Sequence, residues 1–368
     1  MPIKILHTAD VHLGLSFRNH PEAQETLINA RYETLQNVVN RANDLQVNVL
    51  AIAGDLFVKT SIKAGDIQKA ISAINQFGGE VALILPGNHD FITADSQLWE
   101  RMKKEAKEHV IILDKKDPVY LSDYGLDAIV YPGPCHAKHS SENAIGWVKE
   151  IPKDEKYIHI GIAHGSLEGV SPDFDQRYYP MTMNELNNSG VDIWLMGHTH
   201  ITYPDKPGNR DIIFNPGTPE PDGFDCRHEG RAFLYTIDEH KKITTEILST
   251  GSCQFISQSE KIGSPQDVDK LIKKYSQDTW SKTVLSISVS GQLDQDAYDE
   301  WQKQKNKLRN GVLELRLDDT EVRRKVTPDV IRKEFVDGSF PEKLLSSFSE
   351  DEADELQMAY ELIKEVQE

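Results

Sequence analysis

The chain has 368 residues, 38% hydrophobic and 27% charged, with a formal net charge of −18. The length fits one large domain with a smaller one, and the hydrophobic content allows a sizeable core. No apolar run approaches the roughly 18 residues that span a bilayer. Three scattered cysteines do not form a disulfide framework, and residues 1–6 read as a strand rather than a signal peptide. We therefore expect a cytoplasmic protein that does not enter a membrane.

The negative charge argues against a nucleic-acid ligand, because phosphates bind to cationic surfaces. Part of it is concentrated in residues 350–368, where eight carboxylates accompany a single lysine. Metal ions can also supply the local positive charge that a phosphate requires. The composition therefore makes DNA a less expected ligand but does not exclude it.

Strands and helices alternate along the first two-thirds of the chain. Later strands follow one another without intervening helices. The pattern predicts an α/β fold with two packed sheets or one strongly mixed sheet. Strands are predicted at residues 3–9, 47–53, 81–85, 127–131, 157–163, 191–196, 212–215, 232–237 and 243–248, and helices at 22–45 and 64–77.

The pattern changes near residue 250. A helix start at Gly263-Ser264-Pro265 precedes a strand, a helix and a second strand, at 283–289, 294–308 and 312–317. We therefore predict a first domain at 1–250, a small α+β domain at 251–345 and an acidic amphipathic helix at 346–368. On that helix one apolar face is predicted, which either packs within the domain or binds a partner's groove; its residues are Leu356, Ala359, Ile363 and Val366.

Six short segments with oxygen or imidazole donors each follow a predicted strand, where α/β proteins form ligand sites. We expect spacings of two residues to send both side chains to one side of an extended backbone, and glycines to permit close approach or positive φ. A donor set without thiolate suits manganese, iron or zinc better than calcium. The segments are Asp10-Val11-His12, Gly54-Asp55, Gly87-Asn88-His89-Asp90, His164-Gly165, Gly197-His198-Thr199-His200 and Asn215-Pro216-Gly217-Thr218.

Any one segment has an ordinary structural explanation, and a lone His164 on an apolar strand is more often a core histidine. The order Asp-x-His, Gly-Asp, Gly-Asn-His-Asp, His, Gly-His-x-His, however, resembles that of the calcineurin-like metallophosphoesterases over residues 5 to 220. The resemblance implies a two-sheet sandwich flanked by helices, with two divalent ions, manganese being favoured. It assigns one ion to Asp10, His12, Asp55 and His200, and the other to Asp55, Asn88, His164 and His198.

The same resemblance makes His89 the catalytic histidine that does not bind metal. Two ions sharing a water would lower its pKa and clamp the phosphate oxygens during in-line displacement. A charged His89 could then stabilise the developing charge or protonate the leaving oxygen. Its neighbour Asn88, as a ligand, would hold it in place.

Finer features resemble the SbcD-type DNA-repair exonucleases. They are the segments 6–14 and 52–57, the C-terminal α+β unit, which resembles a capping domain, and the stretch 335–341. This resemblance implies nuclease activity on DNA ends, an SbcC-type ABC ATPase partner and a homodimer. Val58 departs from it, because such nucleases often carry a histidine there. Asn215 to Thr218 also differs from the Tyr-Pro-Gly-Ser of many relatives.

Candidate DNA contacts are His20, which follows the first motif, and two basic groups in the second domain, which could equally be solvated surface. A small-molecule phosphodiesterase or phosphatase is the alternative function. A scaffold without activity is disfavoured because all seven ligand positions and His89 are present. The sequence leaves open the metal, the cleavage polarity, the end preference and any endonuclease activity. The basic groups are Lys303, Lys305, Lys307 and Arg309, and Arg323, Arg324 and Lys325.

Overall fold

The computed structural model describes residues 2–208, 210–349 and 352–367. Glu350, Asp351 and Glu368 of the predicted terminal segment lie outside the described residues. The chain divides into two units, Met1–Phe255 and Ile256–Glu368. The terminal helix, which the sequence pattern set apart as a third segment, belongs to the second unit.

The described residues of the first unit form two sheets and four α-helices. Its strands are β1 (Ile3–Thr8), β2 (Val49–Ala53), β3 (Val81–Leu85), β4 (Val110–Ile112), β5 (Val119–Tyr120), β6 (Ala128–Gly133), β7 (Ile158–His164), β8 (Ile193–Gly197), β9 (Ile213–Phe214), β10 (Arg231–Ile237) and β11 (Ile243–Ser249). Its helices are α1 (Gln24–Asp44), α2 (Ala64–Ile74), α3 (Gln97–Glu105) and α4 (Met183–Asn187).

The two sheets pack face to face. One has the order β11-β10-β1-β2-β3-β4 and the other β5-β6-β7-β8-β9. Ala51 and Leu83 of the first sheet share a buried cluster with Ile160 and Leu195 of the second. The next residues along the first sheet point to its other face, because side chains alternate along a strand, and there α1, α2 and α3 cover them. The predicted α/β sandwich flanked by helices is confirmed.

Helix α3 and strand β4 were missed by the pattern. The helix has nine residues, of which Leu98, Trp99 and Met102 are buried, and the strand has three. A helix this short has fewer than three turns, and a strand this short has fewer than two alternations of side chains, so neither shows a clear periodicity. Their structure depends on packing against the sheet rather than on their own sequence.

The second unit is a three-stranded sheet with helices, in the strand order β12-β13-β14. Strands β13 and β14 are parallel, and the helix α6 (Gln295–Gln304) lies between them in the chain, so the unit combines strands and helices as predicted. Side chains at Ser264, Asp294, Thr327 and Ser339 cap four of its helices. The elements are β12 (Gln254–Lys261), β13 (Thr283–Leu293), β14 (Glu314–Arg324), α5 (Pro265–Tyr275), α6 (Gln295–Gln304), α7 (Pro328–Glu334), α8 (Phe340–Leu345) and α9 (Ala353–Gln367).

Helix α9 packs within the second unit through part of the predicted apolar face. Leu356, Ala359 and Ile363 contact the cluster that contains Phe335, and Tyr360 joins them. Val366 was predicted on this face but is 87% exposed. Within the described ranges, no helix is both long enough and apolar enough to cross a membrane.

Candidate metal centre

The candidate ligands follow strands that end side by side. Strands β1, β2 and β3 are parallel neighbours in one sheet, and β7 and β8 are parallel neighbours in the other. Parallel neighbours end at the same edge, so their following loops meet there. The first sheet contributes Asp10, His12, Asp55, Asn88 and His89, and the second contributes His164, His198 and His200.

Left-handed backbone turns, not extended backbone, aim the first motif at the site. Asp10, His12 and Asp55 have φ of 55°, 49° and 51°, and His198 has φ of 98°. The expectation of extended backbone at Asp10/His12 and at His198 was therefore wrong. Non-glycine residues seldom adopt positive φ, and such conformations persist where the surroundings enforce them. Here the Asp10 and His12 N–H groups donate to the carbonyls of Gly54 and Asp55.

Glycines at two of these loops are required by close approach, as predicted. A Cβ on Gly54 would lie 2.0 Å from Nδ1 of His164, and the residue has φ of +91°. A Cβ on Gly87 would lie 2.2 Å from Oδ1 of Asp55. Any larger residue at either position would displace a predicted metal ligand.

Asp10, His12 and His200 form one group of donors. The Nε2 atoms of His12 and His200 are 3.1 Å apart, and each lies 3.8 Å from Oδ1 of Asp10. Asp55 joins the group, because its Oδ2 is 3.5 Å from Nε2 of His12. One donor atom from each of Asp10, His12 and His200 fits within a sphere of ligands around one cation.

The same carboxylate oxygen of Asp55 also joins the second group of donors. Its Oδ2 lies 3.4 Å from Nε2 of His164. Oδ1 of Asn88 lies 3.0 Å from that nitrogen and 2.9 Å from Nδ1 of His198. The Nδ1 of His164 is 2.9 Å from the carbonyl of Ala53, so its N–H donates there and Nε2 faces the carboxylate.

The site needs positive charge. Asp10 and Asp55 are buried, and the cationic groups within 4 Å of them among the described residues are histidines. Burial lowers the pKa of His164, but Asp55, Asp10 and the carbonyl of Ala53 together outweigh burial and raise that pKa to about 9. Burial also lowers the pKa of His200, but Asp222 and Asp10 together raise it to about 9. Carboxylates that stabilise positive charge on their neighbours this strongly suit divalent cations, and the oxygen and imidazole donors fit manganese, iron or zinc.

His89 stands at the edge of both groups. Its backbone N–H donates to Oδ1 of Asp55 at 2.8 Å, and its Nδ1 lies 3.1 Å from the carbonyl of Val58. The ring meets that of His12 edge-on, with centroids 5.0 Å apart. Donors from His12, Asp55 and His89 are also close enough to one another to hold an ion.

Two residues behind His200 were missed by sequence reasoning. Oδ2 of Asp222 is 2.9 Å from Nδ1 of His200, and the guanidinium of Arg31 lies 3.7 Å from the same carboxylate. Arg31 also donates to the carbonyls of Val11 and Glu220. A carboxylate that fixes a ligand histidine is a common feature of metal sites. The available signal was Arg31 itself, a charged residue on the apolar face of α1.

Asp90 braces the loop that carries Asn88 and His89. It accepts hydrogen bonds from the N–H groups of Gly87 and Phe57 at 2.7 and 2.9 Å. Burial, with the nearby charge of Asp55, raises the pKa of Asp90 to about 8. The residue thus links the loops after β2 and β3 without pointing a carboxylate at the centre.

Most of the candidate DNA contacts are engaged by neighbouring residues. His20 is buried against the rings of Phe17, Phe224 and Phe255, which argues against the predicted surface contact. Lys305 pairs with Asp319 at 2.9 Å.

In the rest of the two basic groups, carboxylates and amides are the usual neighbours. Lys303 is exposed and lies 3.9 Å from Glu300, whereas Lys307 donates to Gln304. Arg323 pairs with Glu321 and Glu361, and Arg324 pairs with Glu334, whereas Lys325 and Arg309 are exposed. Ion-paired cations attract phosphates less than isolated ones, because their charge is already compensated.

The fold and the site together define a metal-dependent phosphoesterase. A family model described as calcineurin-like phosphoesterase matches residues 3–202, more than half of the chain. The chain belongs to the calcineurin-like phosphoesterase family.

Curated relatives and a solved structure show more distant similarity. The chain is 24% identical over 236 residues to the DNA double-strand break repair protein Mre11 of Methanopyrus kandleri, covering 60% of this chain and 49% of that one. It is 26% identical over 208 residues to the uncharacterized metallophosphoesterase YhaO of Bacillus subtilis, covering 54% and 48%. The chain thus spans about half the length of both. The calcineurin-like phosphoesterase YfkN of Bacillus subtilis has a TM-score of 0.40 at 12% identity, over 68% of this chain and 91% of that one.

We predict that Asp222→Ala weakens metal binding by about 10–100-fold, because His200 loses the partner that orients it. Calorimetric titration of the metal-free protein with Mn²⁺ measures the affinity. Asp225→Ala, which removes an exposed carboxylate three residues away, is the matched control and leaves the affinity within about twofold. Equal affinities for the wild type and Asp222→Ala would show that His200 needs no such support.

Proposed function

We propose that this protein is a two-metal phosphodiesterase that hydrolyses DNA ends. The observation that supports hydrolysis most strongly is the convergence of two buried carboxylates with imidazole donors from four loops. In the proposed assignment Asp55 bridges the ions, because it reaches both donor groups. Asp10, His12 and His200 complete one ion's ligands, and the other ion's are Asn88, His164 and His198.

Two divalent ions bound there would lower the pKa of a water and neutralise the charge of the phosphate oxygens. The protein's own contribution is positioning. His198 donates its backbone N–H to the carboxylate of Asp10, which holds that side chain in place. The carbonyl of Ala53 orients His164, and Asp222 orients His200. These three side chains are therefore already oriented to hold an ion, which would lower the cost of binding it.

His89 is the proposed general acid. When its Nδ1–H donates to the carbonyl of Val58, Nε2 is left to hold a proton for the leaving oxygen. This arrangement also bears on Val58, whose apolar side chain departs from the SbcD-type pattern. The backbone of residue 58 orients His89, so the proposed role of His89 does not need a polar side chain there.

The DNA substrate is supported by the similarity to a protein named for double-strand break repair. The ion-paired basic groups and the net charge of −18 weigh against a long polyanion and favour the second candidate, a phosphodiesterase or phosphatase for a small molecule. Both candidates use the same metal centre and the same His89. They differ in what surrounds the scissile phosphate.

An ATPase partner of the SbcC type and a homodimer remain part of the proposal. The second unit offers an apolar surface that a helical partner could cover. Met358, Leu362 and Val366 recur every four residues on α9 and are 65%, 56% and 87% exposed. Such spacing places them on one side of a helix, away from the residues that pack inward.

We predict that Asp55→Asn and His89→Ala separate metal binding from chemistry. Asp55→Asn should lower the bound metal, because a bridging carboxylate is lost. His89→Ala should retain the metal and lower turnover by roughly 10²–10⁴-fold, the usual contribution of a general acid. Elemental analysis after dialysis and a chromogenic diester assay give the two readouts. His240→Ala, an exposed histidine far along the chain, is the control. Loss of metal from His89→Ala would make His89 a ligand instead.

We predict that the full chain with Mn²⁺ degrades an end-labelled duplex and hydrolyses bis(p-nitrophenyl) phosphate, and that a chelator abolishes both. Gel analysis and colour release are measured side by side on one preparation. His89→Ala purified in the same way exposes any contaminating nuclease. Hydrolysis of the small diester alone would select the small-molecule phosphodiesterase, and hydrolysis of neither would contradict the proposed function.

A further inference from the structure

A cavity of about 720 Å³ opens beside the candidate metal centre. The predicted ligands His198 and His200 line it, together with the half-buried ring of Tyr178. Tyr178 lies against His198, with ring centroids 5.1 Å apart and an interplanar angle of 35°. A group attached to a phosphate at the metal centre can therefore enter this cavity directly, and its volume is in the range of small-molecule sites.

Two apolar side chains in this cavity are exposed. Phe174 has 93% of its surface exposed and Ile201 has 50%. Leaving a phenylalanine in water forgoes most of the stabilisation that burial would give. Both residues line the cavity that contains His198 and His200, so an occupant of the cavity would cover apolar surface next to the metal centre.

The charge of the cavity restricts the occupant. Four aspartates line it, and among the described lining residues there is no lysine or arginine. Two of the four are engaged: Asp222 holds His200, and Asp173 accepts from Ser166 and from the backbone of Tyr178. The other two, Asp175 and Asp225, are exposed. A phosphate chain passing through would be repelled, whereas a flat uncharged ring would not.

The segment that carries Phe174 is held in place by its neighbour. Asp173 accepts hydrogen bonds from the hydroxyl of Ser166 at 2.7 Å and from the N–H groups of Arg177 and Tyr178 at 3.0 Å. The backbone on both sides of Phe174 is thereby tied to the end of β7. The ring is presented on an ordered loop, so little conformational entropy is lost when a ligand covers it.

We propose that this cavity binds the nucleobase of the nucleotide whose phosphate lies at the metal centre, with Phe174 as the stacking surface. This inference rests on the proposed function, which places the phosphate at the metal centre, and it adds a binding site for the base attached to that nucleotide. A base offers a flat, uncharged face that stacks on an aromatic ring whatever its identity. The backbone of a longer substrate must then leave by another route. Phe174 becomes a specificity residue for nucleotides over other phosphate esters.

The test compares two ligands that differ only in the base. Thymidine 5′-monophosphate and 2-deoxyribose 5-phosphate share the phosphate and the sugar, so the ratio of their inhibition constants isolates the base. Both are measured against bis(p-nitrophenyl) phosphate hydrolysis by the manganese-loaded full chain. We expect the base to lower the inhibition constant roughly tenfold, and Phe174→Ala to bring the ratio close to one.

Two further variants make the result specific. Phe174→Trp should keep the ratio, because the larger ring still stacks. Tyr120→Ala removes an exposed aromatic side chain of the same unit that does not line the cavity, and should leave the ratio unchanged. A ratio of one in the wild type, or a ratio that survives Phe174→Ala, would overturn the inference.

Failure of the proposed function is distinguishable from failure of this inference. Calorimetric titration of the manganese-loaded chain with the same two ligands gives the ratio without any turnover. Absence of diester hydrolysis with an intact base-dependent ratio would contradict the proposed activity alone. Hydrolysis with no base-dependent ratio would contradict the nucleobase site alone.

Discussion

Two carboxylates with little access to water, Asp10 and Asp55, set the conditions for the rest of the structure. An isolated buried carboxylate is costly, so each must be neutralised by a proton, a paired cation or a metal ion. The neighbours within reach are imidazoles. Asp55 with Asp10 raises the pKa of His164 to about 9, and Asp222 with Asp10 raises that of His200 to about 9, against the opposing effect of burial. The pocket is therefore built to attract cations, and its donors match divalent transition metals.

The fold meets this condition with backbone as much as with side chains. Parallel strands bring the loops to one edge, and positive φ at Asp10 and Asp55 turns their side chains inward. The carbonyl of Ala53 and the N–H of His89 fix His164, a proposed ligand, and Asp55, the proposed bridging carboxylate. Because backbone groups supply these supports, the departure at position 58 from the SbcD-type pattern leaves the orientation of His89 intact.

The sequence predicted the parts of the site that local pattern encodes. The donors at strand ends were visible because strands and motifs are both local, and the structure brings them together. Asp222 and Arg31 were missed because their roles depend on contacts between segments far apart in the chain, which no short motif records. The burial of His20 among three phenylalanines was not predicted for the same reason.

The central claim is that the buried donors hold two divalent ions, with Asp55 between them. The most direct measurement is a crystal structure of the protein grown with Mn²⁺, with diffraction data collected on both sides of the manganese absorption edge. We expect two anomalous peaks that share Asp55, one beside Asp10, His12 and His200 and the other beside Asn88, His164 and His198. No peak, or a single peak without Asp55 as a ligand, would contradict it.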